Sequence, residues 1–347
     1  MENLIFDTSQ LRLLRWRGVI CCLLSVPLGL AQTRQLGHLR RTDAPGTGSL
    51  PISQSVAATP SASVEYTFTV LDFPGTFYTN GFGINPGATS TKIEIVGGIG
   101  NQVAEPIGYT KGFQLQYAAT KSATTETFGD VNVPSAVQQA SSGVNDSGEI
   151  VGYYSDASGT VHGYMQSGGA LTIINVPFTG ATGTNTYGID NSGEIVGSWS
   201  DATTTHGFML SGGTYTSFDY PGAAFTIANG LNNHGDIVGF YGDTSGVYHG
   251  FLLSGGIYSA IDVPGATATE AYGINDAGNT VGLYCPTSAC LADFASFHGF
   301  MLSNGVFSTI QIPGAAATGP VNINNSGVIA GVFHDTVGRH AFLATPK

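Results

Sequence analysis

The sequence Tyr272-Gly273-Ile274-Asn275-Asp276-Ala277-Gly278-Asn279-Thr280-Val281-Gly282 recurs along the chain with small changes. Close copies occupy residues 142–152, 187–197 and 229–239, and a further copy runs from 322 to 331. Self-similarity at a regular spacing is the signature of a repeat architecture, in which each copy belongs to one supersecondary unit. The recurrence therefore predicts the class of fold, although it does not indicate a function.

Each repeat divides into four predicted strands, which we label A to D in chain order. Strand A ends at the Gly-Ile-Asn triplet, and the Asn-x-x-Gly sequence that follows suits a type I turn. Strand B leads into a second turn that begins with Asp, and strand C opens with His-Gly-aromatic or His-Ala-Phe. These tripeptides begin at His162, His206, His249, His298 and His340. Strand D ends just before a proline, at Pro74, Pro134, Pro177, Pro221, Pro264 and Pro313.

Four short antiparallel strands in each repeat predict an all-β fold, a six-bladed β-propeller of four-stranded blades. The last repeat stops at Lys347 without a D strand, whereas Val64 to Phe73 reads as a D strand with no repeat before it. We expect this N-terminal strand to complete the last blade and close the ring, which would leave no terminal edge exposed. A β-helix or an open solenoid is the alternative, but neither explains the complementary ends.

The motifs, taken in order from about residue 64 to residue 347, resemble the bacterial extracellular repeat family named HAF after its His-Ala-Phe tripeptide. The first repeat departs from the pattern, since Lys111-Gly112-Phe113 stands where the histidine tripeptide should be. The resemblance implies an exported repeat protein. It implies no catalytic residue, cofactor or ligand.

The N-terminal part of the chain reads as an export signal followed by a linker. Three arginines, Arg12, Arg15 and Arg17, precede an apolar run that ends near Ala31, and this run is too short to span a bilayer as a helix. Residues 32–63 are rich in Pro, Ser, Thr and Gly without a period, which predicts a flexible linker. We therefore expect a signal peptide at 1–31, a linker at 32–63 and the propeller at 64–347, in a secreted or periplasmic protein.

The charge composition limits the partners that the protein can bind. The formal net charge is −12, which disfavours binding to nucleic acid or to anionic membranes. Beyond the leader, Cys285 and Cys290 are the remaining cysteines, and in an exported chain this pair predicts a disulfide that closes a small loop. We expect no cofactor, no membrane span and a monomer.

The recurring histidines suggest a metal site or a general base, since imidazole serves in both roles. One histidine in each repeat, however, places them apart around a ring, so we interpret them as structural and predict no metal site. Function is better sought in residues that do not repeat. These are Glu94, Glu105, Glu126, Glu270, Asp293, His234, His334 and Arg339, and none of them forms a recognisable catalytic motif.

A second hypothesis concerns aromatic residues at the end of strand B, namely Tyr154, Trp199, Tyr241, Tyr284 and Phe333. If exposed, they would stack on sugar rings, and we expect Trp199 to be the most exposed; packing between blades is the alternative. The chain is thus predicted to be a binding module for extracellular polysaccharide or for a protein. The competing hypotheses are a polysaccharide lyase or glycoside hydrolase with its site in the central channel, and a purely structural surface protein.

Overall fold

The computed structural model describes residues 65–76, 78–87, 92–100, 109–119, 124–293, 296–336 and 338–347. The predicted signal peptide and linker lie outside these residues. The described chain consists almost wholly of β-strands, with one short helix, α1 (Ser288–Asp293). No helix in these described ranges is both long and apolar enough to cross a bilayer.

Four sheets are separate four-stranded antiparallel blades, each formed by consecutive strands of one repeat. Repeat 2 contains β6 (Gln138–Val144), β7 (Ile150–Ser155), β8 (Val161–Ser167) and β9 (Ala170–Ile174). Repeat 3 contains β10 (Gly183–Ile189), β11 (Ile195–Ser200), β12 (Thr205–Ser211) and β13 (Thr214–Phe218). Repeat 4 contains β14 (Phe225–Leu231), β15 (Ile237–Gly242), β16 (Tyr248–Ser254) and β17 (Ile257–Ile261). Repeat 5 contains β18 (Ala268–Ile274), β19 (Thr280–Cys285), β20 (His298–Ser303) and β21 (Val306–Ile310).

The first and last repeats share one eight-stranded sheet. Repeat 1 supplies β2 (Tyr78–Ile84), β3 (Lys92–Gly100), β4 (Lys111–Ala119) and β5 (Thr124–Val131). Repeat 6 supplies β22 (Ala317–Ile323), β23 (Ile329–His334) and β24 (Arg339–Pro346), and the first strand of the chain, β1 (Tyr66–Leu71), joins them. The structure thus shows an all-β propeller with four separate blades rather than the predicted six. The two end repeats merge because one parallel pairing, between Tyr78 and Arg339, links β2 to β24.

The N-terminal strand completes the last repeat as predicted. Strand β1 pairs antiparallel with β24 over its whole length, from Tyr66 opposite Pro346 to Leu71 opposite Ala341. The backbone N–H of Lys347 also donates to the carbonyl of Glu65 at 3.0 Å. The outer edge of β24 is therefore paired, and β1 takes the position that strand D has in the other repeats.

Each A–B turn is held by its first residue, which is an asparagine in every repeat except repeat 3, where it is Asp190. In repeat 2 the Oδ1 of Asn145 accepts hydrogen bonds from the backbone N–H groups of Ser147 and Glu149, at 3.1 and 3.0 Å. Gly148 closes the turn with a φ of 73°, a conformation that costs glycine little and other residues more. The recurring Asn-x-x-Gly is therefore turn chemistry, as its sequence indicates.

Successive A–B turns also bind one another around the central axis. We call the second residues of these turns, together, the turn ring: Pro86, Asp146, Asn191, Asn233, Asp276 and Asn325. The backbone N–H of Asp276 donates to the Oδ1 of Asn325 at 2.9 Å, and the Nδ2 of Asn325 donates back to the Asp276 carboxylate at 2.6 Å. The turn ring closes between the first and last repeats, where the N–H of Asn325 donates to the carbonyl of Pro86 at 2.9 Å.

Close packing at the axis explains the glycine in the middle of strand A. A Cβ on Gly143 would lie 2.7 Å from the carbonyl oxygen of Tyr187 in the next repeat. A Cβ on Gly273 would lie 2.7 Å from the Cα of Asn322. Distances this short are not found for real Cβ atoms, so the backbones of neighbouring A strands approach each other only because the side chain is missing.

The aromatic residue of each histidine tripeptide anchors the core of its repeat. Phe208, Phe251 and Tyr164 are fully buried, and so are their equivalents in the other repeats. Each packs against the glycine of strand B, where a Cβ on Gly197 would lie 2.8 Å from the Phe208 ring. The disulfide between Cys285 and Cys290 is present as predicted and ties α1 to the end of β19.

The A–B turn of repeat 3 begins with Asp190, whereas the turns of the other repeats begin with asparagine. The effect of this difference on stability can be tested. In other repeats the asparagine Nδ2 donates to the carbonyl of the next turn, as from Asn145 to Asp190 (3.0 Å) and from Asn275 to Asn324 (2.9 Å). Asp190 has no such donor unless it is protonated, and burial, together with the nearby Glu194, raises the pKa of its carboxyl. A raised folded-state pKa means that this carboxyl destabilises the fold increasingly as pH rises through that value.

We expect Asp190→Asn to increase the free energy of unfolding at pH 8 by about 1 kcal/mol, roughly one regained hydrogen bond, and by less at pH 4. Urea unfolding at both pH values measures this difference. The reverse change, Asn232→Asp, serves as the matched control and should destabilise the protein more at pH 8 than at pH 4. Equal effects at the two pH values would contradict the assignment.

Candidate functional site

The two ends of the propeller carry different chemistry. One end carries the A–B turns of the turn ring and the C–D turns. The other carries the B–C and D–A connections, where strands B and D end and strand C begins. We call this second end the histidine face, because the recurring histidines open strand C there.

Each histidine on this face stacks on the strand-B aromatic directly opposite it. The pairs are Tyr154–His162, Trp199–His206, Tyr241–His249 and Phe333–His340, with ring centroids 4.5 to 5.2 Å apart, and Tyr284–His298, tilted, at 5.6 Å. The strand register places both partners of each pair in the same cross-strand position. The structure therefore brings the predicted aromatic residues together with the predicted structural histidines.

The Nδ1 of the histidine is within hydrogen-bond distance of a polar side chain at the end of strand D, and its Nε2 lies near an aspartate of the B–C turn. His206 Nδ1 lies 2.9 Å from Asp219 at the end of strand D, and its Nε2 lies 3.6 Å from Asp201 in the B–C turn. The same arrangement holds His249 between Asp262 and Asp243. We call each set of aromatic, histidine and two polar residues a histidine station.

Two further stations follow this plan. His340 lies between Asp72, at 2.9 Å, and Asp335, at 3.4 Å, so β1 supplies one residue of the last station. His162 lies 3.2 Å from Asp156, while Asn175 takes the strand-D position. In repeat 1, where the histidine is replaced, Lys111 forms an ion pair with Asp130 across the same two strands at 2.6 Å.

The station carboxylates at the ends of strand D are exposed, and hydrogen bonds hold the pKa of two carboxyls in the B–C turns low. The side chains of Asp219, Asp262 and Asp72 at the ends of strand D are 45 to 48% exposed. In the B–C turns, hydrogen bonds from Ser158 and His162 lower the pKa of Asp156 to about 2, and a hydrogen bond from Ser245 lowers that of Asp243 likewise. The histidine face therefore presents a ring of hydrogen-bond acceptors at neutral pH.

The expectation that Trp199 is an exposed platform is wrong. Its side chain is 8% exposed, because Phe178 packs against one side at a centroid distance of 4.9 Å and His206 covers the other. Its Nε1 donates to the Oγ of Ser217 at 2.9 Å. Phe178 of the D–A connection and His206 of strand C both pack on the indole ring. Trp199 is therefore buried although it is larger than its counterparts in the other repeats.

The other four strand-B aromatics are also engaged in packing. Tyr241 lies between His249 and Tyr220, with the two tyrosine rings parallel and 3.7 Å apart. Phe333 is 6% exposed, whereas Tyr154 and Tyr284 are half-buried. Each of these rings packs against its histidine, and Tyr241 packs against Tyr220 as well, so none of them is a free platform on the histidine face.

Apart from the cross-strand neighbours His334 and Arg339, the residues singled out because they do not repeat are scattered over the fold. Glu94 accepts from Gln114 near the A–B turn of repeat 1, His234 lies in the A–B turn of repeat 4, and Glu126 is exposed on β5. His334 is half-buried; its loss of hydration lowers its pKa to about 3, and the neighbouring Arg339 adds to this effect. Glu105 and the side chain of Asp293 lie outside the described part of the chain.

Glu270 differs from the rest because it is buried beside the axis. It is 2% exposed, and the hydroxyl of Tyr272 donates to its Oε2 at 2.5 Å. Burial raises the pKa of this carboxyl to about 7. Two small cavities lie near the axis, one beside Tyr272 and Tyr187 and one near the turn ring. Each has a volume of about 20 Å³, which is room for about one water molecule.

The strand-D carboxylates were missed by sequence reasoning, although a signal was present. Asp72, Asp219 and Asp262 each stand two residues before a recurrent proline, as Asp-x-Pro. Only the strand register shows that this position lies beside the histidine. Within the described residues, no group of three or more His, Cys, Asp or Glu is arranged to hold a metal ion.

Comparisons with known proteins give the fold alone. No family model and no curated protein matches the chain. A triple arginine-to-alanine mutant of AofleA from Arthrobotrys oligospora is similar in structure, with a TM-score of 0.50 and 10% identity over 84% of this chain and 91% of that chain. The fungal lectin of Aleuria aurantia, a six-bladed β-propeller with a fucose recognition mode, has a TM-score of 0.48 and 11% identity over 77% of this chain and 93% of its own. The first of these likenesses supports the propeller fold and carries no function.

The packing of Trp199 can be tested by its effect on stability. We expect Trp199→Ala to lower the free energy of unfolding by about 3–5 kcal/mol, because it leaves a cavity between Phe178 and His206. Trp199→Tyr, the residue found at this position in three other repeats, should cost less than about 1.5 kcal/mol. Urea unfolding followed by circular dichroism measures both; a Trp199→Ala variant as stable as the parent would indicate an exposed ring.

Proposed function

We propose that this protein is a carbohydrate-binding module that uses its histidine face. The observation that carries the proposal is the repetition of one polar station at one end of the propeller. Each station offers carboxylate oxygens beside a histidine edge that is 17 to 27% exposed. Hydroxyl-rich ligands supply the hydrogen-bond donors that such acceptors require.

The repetition also suits the binding of a polymer. A polysaccharide repeats the same groups along its length, so several weak stations would engage one chain at once. Linked weak sites give an apparent affinity about 10² to 10⁴ times that of one site. A modest contact at each station would therefore suffice.

A protein ligand is less well matched to this face. Protein interfaces usually have an apolar and aromatic centre. The most exposed large apolar side chains among the described residues are Val70, Val137, Leu171, Ile173 and Ile257. They lie on strand D or just before strand A and belong to no station, so they form no apolar centre on the histidine face.

The geometry of the axis speaks against an enzyme that works in the central channel. Its free space is about the size of a water molecule, and Glu270 is buried and hydrogen-bonded to Tyr272. A sugar ring cannot approach this carboxyl without opening the ring of A strands. Glycoside hydrolysis also needs a second carboxyl facing the first across the scissile bond.

We also propose that the eight-stranded sheet acts as two blades, which gives a ring of six. Both halves show the same register shift in strand A, between Gly81 and Gly83 and between Pro320 and Asn322. Both use a threonine near the start of strand A to accept a backbone N–H of the preceding connection, with Thr79 bonded to Phe73 and Thr318 to Ile312. The single Tyr78–Arg339 pairing is then a contact between neighbouring blades.

Export, membership of the HAF family and a monomeric state remain part of the proposal. The disulfide Cys285–Cys290 supports export, because such bonds persist in oxidising compartments.

A glycan-array screen of the purified protein tests the proposed function, with release of reducing ends assayed on each glycan that binds. We expect binding without release. Release of new reducing ends would instead identify an enzyme. Absence of binding to every glycan would contradict the carbohydrate ligand, and a protein partner would then be the next hypothesis.

Variants connect that binding to the stations. We expect the triple change Asp72→Ala, Asp219→Ala and Asp262→Ala to lower apparent affinity by about tenfold or more, because three acceptor sites are lost together. Glu126→Ala, an exposed carboxylate on β5 away from the stations, is the matched control and should bind as the parent does. Unchanged binding by the triple variant would place the ligand elsewhere.

A further inference from the structure

Three Asn-Gly dipeptides occur in the chain, and they begin at Asn80, Asn229 and Asn304. In such a pair the backbone nitrogen of the glycine can reach the side-chain amide carbon of the asparagine, because glycine has no Cβ to hinder the approach. The reaction releases ammonia and converts the amide to a carboxyl. Its rate in a folded protein depends on how firmly the surrounding structure holds the two residues.

The fold protects two of the three dipeptides. Asn80 and Asn229 lie in strand A of their repeats and are 3% and 7% exposed. The Nδ2 of Asn80 donates to the hydroxyl of Tyr109, and the Nδ2 of Asn229 donates to the carbonyl of Ala271 in the next repeat at 2.9 Å. Both amides are therefore held in place as long as the ring of A strands stays closed.

Asn304 lies in a different environment, at the tip of a hairpin. It is exposed, and together with Gly305 it forms the two-residue C–D turn between β20 and β21. Its Nδ2 lies 3.4 Å from the Oγ of the adjacent Ser303, which is close to the limit of a hydrogen bond and makes no link to another repeat. This amide is thus held less firmly than those of Asn80 and Asn229.

The backbone conformation of this turn adds to the difference. Asn304 has a φ of 49° and Gly305 a φ of 76°, so both lie in the left-handed region. Three other repeats have the same conformation in their C–D turns, where both residues are glycine, at 168–169, 212–213 and 255–256. Glycine adopts it at little cost, whereas asparagine tolerates it less well. The turn of repeat 5 is therefore expected to open more readily than its counterparts.

The position of the turn at the edge of a blade also permits local opening. In the described sheet of repeat 5, β21 is the outermost strand and pairs with β20 alone. The tip of the hairpin can separate without unfolding the rest of the blade. Such an opening gives the Gly305 nitrogen access to the amide carbon of Asn304.

We propose that Asn304 is a site of spontaneous deamidation. The Gly305 nitrogen loses its proton to hydroxide and bonds to the Cγ of Asn304, while the bond from Cγ to the amide nitrogen breaks and ammonia leaves. The product is a five-membered succinimide. Water then opens one of the two C–N bonds of that ring, with its hydroxyl joining the carbon and its proton the nitrogen, to give aspartate or isoaspartate. Water is consumed and ammonia released, without an oxidant or a reductant.

Isoaspartate changes the edge of repeat 5. It carries the chain through its side-chain carbon, which adds one atom to the backbone of a turn whose length fixes the hairpin. The pairing of Ser303 with Val306 next to the turn is then lost, and the hairpin of β20 and β21 loosens. This inference is independent of the carbohydrate proposal, since the C–D turns lie at the opposite end of the propeller from the histidine face.

Ageing of the folded protein at pH 8, followed by peptide mapping with mass spectrometry, tests the inference. The peptide that contains Asn304 should gain the mass that replaces an amide by a carboxyl. Its rate should be at least about tenfold higher than the rates at Asn80 and Asn229, which the closed fold protects. Labelling by an isoaspartyl methyltransferase should locate isoaspartate at position 304. The chain unfolded in urea is the reference, in which all three asparagines should react at similar rates.

Asn304→Gly, which has the Gly-Gly sequence of the turns in three other repeats, is the matched control. It should take up no methyl label at this turn and should remain as stable as the parent. An Asn304 that stays intact in the folded protein would overturn the proposal, whether or not the unfolded chain reacts. Equal rates at Asn304, Asn80 and Asn229 in the folded protein would overturn it as well, since the fold would then not select the site.

Discussion

The hydrogen bonds between successive A–B turns are the constraint on which the rest of this structure depends. The asparagine serves its own turn with its Oδ1 and the next turn with its Nδ2, as Asn275 does toward Asn324, whereas Asp190 lacks the Nδ2 donor. The turn ring therefore fixes how closely the A strands approach the axis. Glycine at the sixth residue of strand A follows from that distance, because neighbouring backbones leave no room for a Cβ.

A tight axis places function at the surface. The cavity beside Tyr272 admits one small particle, so polymers have access to the end faces alone. At the histidine face, each station combines packing with surface groups. The aromatic ring and the imidazole stack on each other, and the imidazole also contacts the exposed carboxylate at the end of strand D. Because the same station recurs in several repeats, the histidine face presents several equivalent groups to a ligand.

Much of the fold could be predicted from the sequence because the repeat fixes strand order and turn chemistry locally. The four strands of a repeat, the donated first strand and the Cys285–Cys290 bond were all readable in this way. The merging of the end repeats was not, since it depends on one pairing between Tyr78 and Arg339 that no periodicity indicates.

The site was predicted less well, for a physical reason. The strand-B aromatics were identified, but whether a ring is exposed depends on what the preceding D–A connection places over it, as Phe178 does for Trp199.

Closure of the ring by β1 is the central claim, and native-state hydrogen exchange of backbone amides tests it most directly. If β1 is an integral strand, its amides will exchange together with those of β24 and only through global unfolding. Amides of β1 that exchange through a low-energy opening, while β24 and the separate blades stay protected, would contradict the closed ring.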